Sequence, residues 1–217
     1  MGAPLIGSMA APFAQSLTHL FGSVALMLGL VLLTQRRAGA LIGVGAVQAW
    51  VAAGAAAVRG GLGGDVGLVL AALITLAASG VAVPIALTLV VRRRGEAPTP
   101  ASAPGRMGLG AALVGLAALA VPAVAVAGGE PTRESLAVAL AVLLLGALLV
   151  TARGSPIAQL VGMLSLGNGL ILAATPGLPL VALVPLAALA PAGLLLGAMA
   201  RPESSLEAGA TPGARGR

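Results

Sequence analysis

The residues in this chain that could do chemistry are few, and they sit inside long apolar runs. His19 is its single imidazole, and there is no Tyr and no Cys. Gln48, Thr75, Ser79, Gln159, Ser165 and Asn168 are among the neutral polar side chains within the runs. A proton relay needs titrating neighbours, and His19 has none in its run. It falls within the first two turns or so of its segment, where an imidazole facing headgroups is the simplest reading. Ser and Thr can bond their own helix carbonyls and need no functional account. Gln48 and Asn168 are costlier in hydrocarbon and should face protein or water. Asn168 stands between Gly167 and Gly169, a pair expected to weaken a helix locally and to favour a π-bulge or a water. Interhelical hydrogen bonding is the first expectation for Asn168, and a conduction role the second.

Other chemistries lack their residues. Without Cys there is no disulfide framework, thiolate metal site or iron–sulfur ligation. There is no HExxH, no paired carboxylate and no Ser/His/Asp set. The Gly-rich stretch 60–64 has neither the Lys nor the strand context of a phosphate loop, so it reads as a turn. No cofactor is expected in this chain. The formal net charge is +6, yet no basic stripe interleaves with aromatics, so no nucleic-acid partner is expected.

The elements that must position these residues are membrane spans. The 217 residues are 59% hydrophobic and 8% charged, and about 20 helical residues cross a bilayer core. The pattern predicts an all-α polytopic protein of seven spans, at 12–33, 38–58, 66–91, 107–127, 135–152, 157–175 and 180–200. Residues 1–94 hold the first three and 107–200 the last four. Residues 95–106, GEAPTPASAPGR, form a polar Pro-rich linker, and 201–217 a disordered polar tail. Nothing at Met1-Gly2-Ala3-Pro4 reads as the basic start of a cleaved signal.

All twelve basic residues are Arg. If every span crosses, only Arg59 and Arg133 fall on one face and the other ten on the opposite one. Cytoplasmic loops carry the excess of Arg and Lys, so the N-terminus is expected outside, and the linker and C-terminus inside. Belt aromatics are scarce, with only Phe13, Phe21 and Trp50 available. Anchoring should therefore rest on Arg and on close helix packing, for which Gly39-x-x-x-Gly43 and Gly193-x-x-x-Gly197 are candidates. Spans 1–3 and 5–7 also hint at repetition. Each set has a short Arg turn, a Gly-containing middle helix and a Pro-containing third helix.

Leu136-Ala-Val-Ala-Leu140, Leu144-Leu145-Gly146, Gln159-Leu-Val-Gly162 and Leu164-Ser-Leu-Gly-Asn-Gly169 together resemble the membrane subunit called hydrogenase-4 component E. That family has a similar length, a run of short spans and a signature of the form Q-x-x-G-x-x-x-x-E-N-G. It is related to the K-type subunit of complex I and the C-type subunit of cation/proton antiporters. In the first half, Gln48 follows a basic turn as the family Gln does. Ser79-Gly-Val-Ala-Val-Pro84 falls on a K-V-x-x-x-P segment ahead of a basic stop. The resemblance covers about 30–95 and 135–201. The family Glu is Gly167 here, the family Lys is Ser79, and expected acidic positions fall near Ala182 and Ala188.

The resemblance implies a non-catalytic subunit of a complex-I-like membrane arm in a prokaryotic cytoplasmic membrane. It implies a hetero-oligomer, packed in lipid among antiporter-like subunits and an electron-transferring arm. It does not carry over a proton relay. An antiporter subunit and an ion- or bicarbonate-handling complex are the alternatives.

Overall fold

The computed structural model describes residues 4–94, 105–124, 133–174 and Gly193. Every regular element among them is helical. The order is α1 (Pro4–Thr34), α2 (Ala38–Gly63), α3 (Val66–Ala77), a π-helical turn (Ala78–Ala82), α4 (Val83–Arg94), α5 (Gly105–Val124), α6 (Arg133–Ala152) and α7 (Pro156–Ala173). Among the described residues five stretches are long and apolar enough to cross a membrane: Gln15–Thr34, Ala38–Gly63, Val66–Arg93, Ser135–Ala152 and Pro156–Ala173. The stretch expected as the fourth span falls on α5, whose apolar part, Met107–Ala120, is shorter than these five. The linker expected at 95–106 is corrected at its end, since Gly105 and Arg106 open α5; residues 95–104, the tail, and the seventh span at 180–200 apart from Gly193 lie outside the described residues.

Local chemistry sets several ends. Asp65 caps α3, its carboxylate accepting from the Leu68 amide at 3.1 Å, and Ser155 caps α7 by accepting from the Ala158 amide at 3.2 Å. Pro156 occupies the first turn of α7, where its missing N–H costs nothing. Gly64 ends α2 in the left-handed region at φ 70°, which glycine enters without a Cβ penalty.

The turn expected from Arg59 onward is a correction. Helix α2 continues to Gly63, so Arg59 is a helical residue. The run after it is rich in Gly but holds no Pro, and tertiary contact carries the helix a further turn.

The helices interlock in a constant register. Gly22 and Gly29 of α1 lie against Val138 and Leu145 of α6, and Gly45 of α2 against Val161 of α7, each pair 116 positions apart. The α1–α2 hairpin therefore runs beside the α6–α7 hairpin with like helices parallel. This gives the expected repetition a spatial counterpart, confined to two helices of each set. Helices α3 and α4 pack on α2, and α5 on α6 and α1.

Close approach is concentrated in the α6–α7 hairpin. A Cβ on Gly146 would lie 2.8 Å from the Leu166 amide nitrogen, on Gly162 2.9 Å from that of Val150, and on Gly169 2.8 Å from that of Leu143. These glycines form the seam. The expected Gly39–Gly43 seam is not one: Gly39 is exposed, and a Cβ on Gly43 would meet nothing within 4 Å. Gly193 likewise meets nothing, and Gly197 lies outside the described residues.

Candidate functional site

Helices α1, α2, α6 and α7 enclose a polar row at mid-depth. Gln48 is 0% exposed, and Ser165 and Asn168 1% each. The Gln48 amide donates from Nε2 to the Ala25 carbonyl of α1 at 3.0 Å. Its Oε1, the Ser165 hydroxyl and both amide atoms of Asn168 are buried with no hydrogen-bond partner among the described residues. Each such group costs about 1–3 kcal/mol when left unmet. The glue expected of Asn168 is thus not made among these residues, whereas Gln48 does bridge two helices.

Val161 meets α2 at Gly45. Ser165, Asn168 and Leu172 follow it at i+4, i+7 and i+11, and so share its face of α7. Gln48 lies one turn beyond Gly45. Ser165, Asn168 and Gln48 therefore occupy neighbouring levels of the same interface.

His19 is half-buried on α1. It borders a cavity of about 10 Å³ with Thr18, Gly22, Ser135, Val138 and Leu172. Leu172 links this cavity to the Asn168 face. Ser79 is buried in the π-helical turn and stands apart from the row.

The π-bulge expected at Gly167–Asn168–Gly169 is a correction: α7 is regularly α-helical there. Gly167 is buried, and Gly169 serves the seam with α6. The π-helical turn lies instead at Ala78–Ala82, closed by the Val83 amide donating to the Ala78 carbonyl. Pro84 supplies the reason. Its ring crowds the carbonyl four residues back, that of Gly80, and it has no N–H to offer it. The Trp50 indole donates to that Gly80 carbonyl at 2.9 Å. A Cβ on Gly80 would come within 2.5 Å of the Trp50 ring, so only Gly admits this contact.

Three residues gain roles that sequence reasoning missed. Arg153, 3% exposed, donates from Nη2 to the Leu33 carbonyl at 2.8 Å and to that of Leu32 at 3.3 Å. Arg59 donates from Nη1 to the Ala174 carbonyl at 3.0 Å and from Nη2 to that of Ile171 at 3.1 Å. Each guanidinium therefore meets the carbonyl end of a helix other than its own, α1 or α7, where unpaired acceptors and the helix dipole favour a cation. Both had been read as loop markers of topology. Trp50, read as a belt aromatic, is the third. The only advance signal was that both Arg residues adjoin Gly-containing turns.

Among the described residues no three His, Cys, Asp or Glu side chains gather as metal ligands. Comparison with family models, with curated proteins and with solved structures finds no match for this chain. The likeness to hydrogenase-4 component E rests on the residues quoted for it.

Proposed function

We propose that this chain is a non-catalytic membrane subunit of a complex-I-like oxidoreductase arm of the hydrogenase-4 type. It packs between antiporter-like subunits in a prokaryotic cytoplasmic membrane and has no proton relay of its own. Its seven spans place the N-terminus outside and the C-terminus inside, and redox centres belong to other chains.

The observation that carries this reading is how the cations are used. Arg59 and Arg153 are committed to helix carbonyls, and the row between them is neutral. Charges are retained in membrane cores for function, because burying one costs about 2.5–3.5 kcal/mol at a helix centre. A helix scaffold braced by its own Arg residues fits a packing role. The order of Gln48, Pro84, Gln159 and Asn168 along the chain supports the choice of family.

Gentle purification of the tagged chain tests the partners: hydrogenase-type and antiporter-like subunits should co-purify. Proton pumping by the intact complex in vesicles tests the passive role. His19→Ala and Asn168→Leu, compared at equal complex abundance, should pump as the parent does. Loss of pumping with normal assembly and electron transfer would reject it.

One observation favours a second reading, a conducting subunit of a cation/proton antiporter. Ser165 and Asn168 are buried and unpartnered. That reading predicts cation-antiporter subunits in the purified complex and loss of transport in Asn168→Leu.

A further inference from the structure

We infer that water enters this bundle from the Arg59 end and stops near its middle, in a track that runs from the His19 cavity past Asn168 and Ser165 to Gln48. The inference does not depend on the parent complex, and it describes access to half the membrane only.

The chemistry of the row selects its occupant. Gln48 Oε1 needs a donor, Asn168 presents both a donor and an acceptor, and the Ser165 hydroxyl is either. A metal cation would leave the Asn168 N–H groups unmet, and an anion would leave Gln48 Oε1 unmet. Water satisfies both kinds. All three residues are at most 1% exposed, so neither lipid nor a neighbouring subunit reaches them from outside. Only a molecule small enough to pass between helices can.

The route follows from the register. The face of α7 that carries Ser165 and Asn168 continues to Leu172, which lines the cavity shared by Thr18, His19 and Ser135. That cavity has room for about one water. Since α2 and α7 are parallel and Gly45 abuts Val161, Gln48 lies level with residue 164. It is therefore about 12 Å below Leu172 at 1.5 Å per residue. Beyond Gln48 the same interior is closed by Leu41, Leu149 and Leu160, each no more than 1% exposed. Small residues border the upper part, Ala52, Ala55 and Ala139 among them.

The chain has no Cys, so single thiols can be placed at will. The probe is Ag⁺, applied to the full-length chain in its native membrane from the face that carries Gly61, and read by protection from a later fluorescent maleimide. Asn168→Cys and Ser165→Cys should react on the order of tenfold or more faster than Leu160→Cys, because thiol reactivity follows access. Gly61→Cys, exposed, sets the upper rate. Asn168→Cys and Ser165→Cys as inert as Leu160→Cys, or reached only from the Arg153 face, would overturn the inference. So would Leu160→Cys reacting equally fast. If the variants fail to accumulate, amide exchange in the unmodified chain decides. Residues 164–172 should exchange faster than 42–47 of α2, which lie beyond Gln48, and equal protection would overturn it.

Discussion

The end of the bundle that holds Arg153 is filled with leucine, and the end that holds Arg59 is filled with alanine. Leu32, Leu33, Leu41, Leu149 and Leu160 belong to one cluster at the first end, which continues to Leu145 and Leu164 at mid-depth. At the other, Ala25, Ala52, Ala55 and Ala139 surround Val142 and Leu172, and Ala56, Ala71 and Ala72 pack with Leu68 and Ile171. Both ends use the same device, a guanidinium on the carbonyl end of another helix. Their surroundings differ. Arg153 is enclosed by large side chains, whereas Arg59 is only partly buried. Large side chains exclude water, so the cation there relies on protein acceptors alone. Small ones bring backbones together but fill space less completely, and the cavity beside His19 lies at that end. One end is a plug and the other an entrance.

The comparison breaks first at the two arginines. Arg153→Met should cost the most, about 1.5–3 kcal/mol for each hydrogen bond lost, because it removes a charged donor from two carbonyls at the buried end of α1. Arg59→Met should cost no more than about 2 kcal/mol, the range of a partly buried cation at a helix end. Thermal loss of helicity for the full-length chain in lipid bilayers measures both. Equal losses would remove the distinction between the ends.

The glycine seam should ignore that distinction, because backbone approach is similar along its length. Gly162→Ala, toward the leucine end, and Gly169→Ala, toward the alanine end, should each cost about 1–3 kcal/mol by overpacking. Gly43→Ala, with open space around it, should instead gain up to about 1 kcal/mol from helix propensity. A large difference between Gly162→Ala and Gly169→Ala in the same melting assay would show that the α6–α7 hairpin is tight at one end only.

The smallest effect concerns the flank. Trp50→Phe removes the hydrogen bond to the Gly80 carbonyl and should cost about 1 kcal/mol. Pro84→Ala should shrink that cost, since the carbonyl regains a helical donor. An undiminished cost in the double variant would separate the π-helical turn from Pro84.

Much of the architecture was legible in the residues. Apolar runs near span length, ended by Arg36–Arg37, Arg92–Arg93 and Arg153, were enough to place α1 to α4, α6 and α7 to within a few residues at most boundaries. Ser155-Pro156 announces a helix start by its chemistry alone. The polar candidates were also visible, because Gln or Asn in such a run has few innocuous explanations. Their grouping was not. Ser79 and Asn168 look alike as polar breaks in apolar helices, yet one lies in a π-helical turn and the other in the bundle interior.

Sequence by itself determined that the chain is helical, that long segments of it are apolar enough to cross a bilayer, and which few side chains would be out of place there. These follow from local quantities: hydrophobicity, length and helix capping act over a turn or a span. Tertiary structure decided which glycines are seams, that Gln48 bonds α1, and that Arg59 and Arg153 cap helices rather than merely mark loops. The carbonyls that Arg153 meets lie 120 and 121 positions away, and those that Arg59 meets 112 and 115. An Arg at the end of an apolar run satisfies the positive-inside bias whichever way it points. Only the packing of distant helices brings an unpaired helix end within its reach.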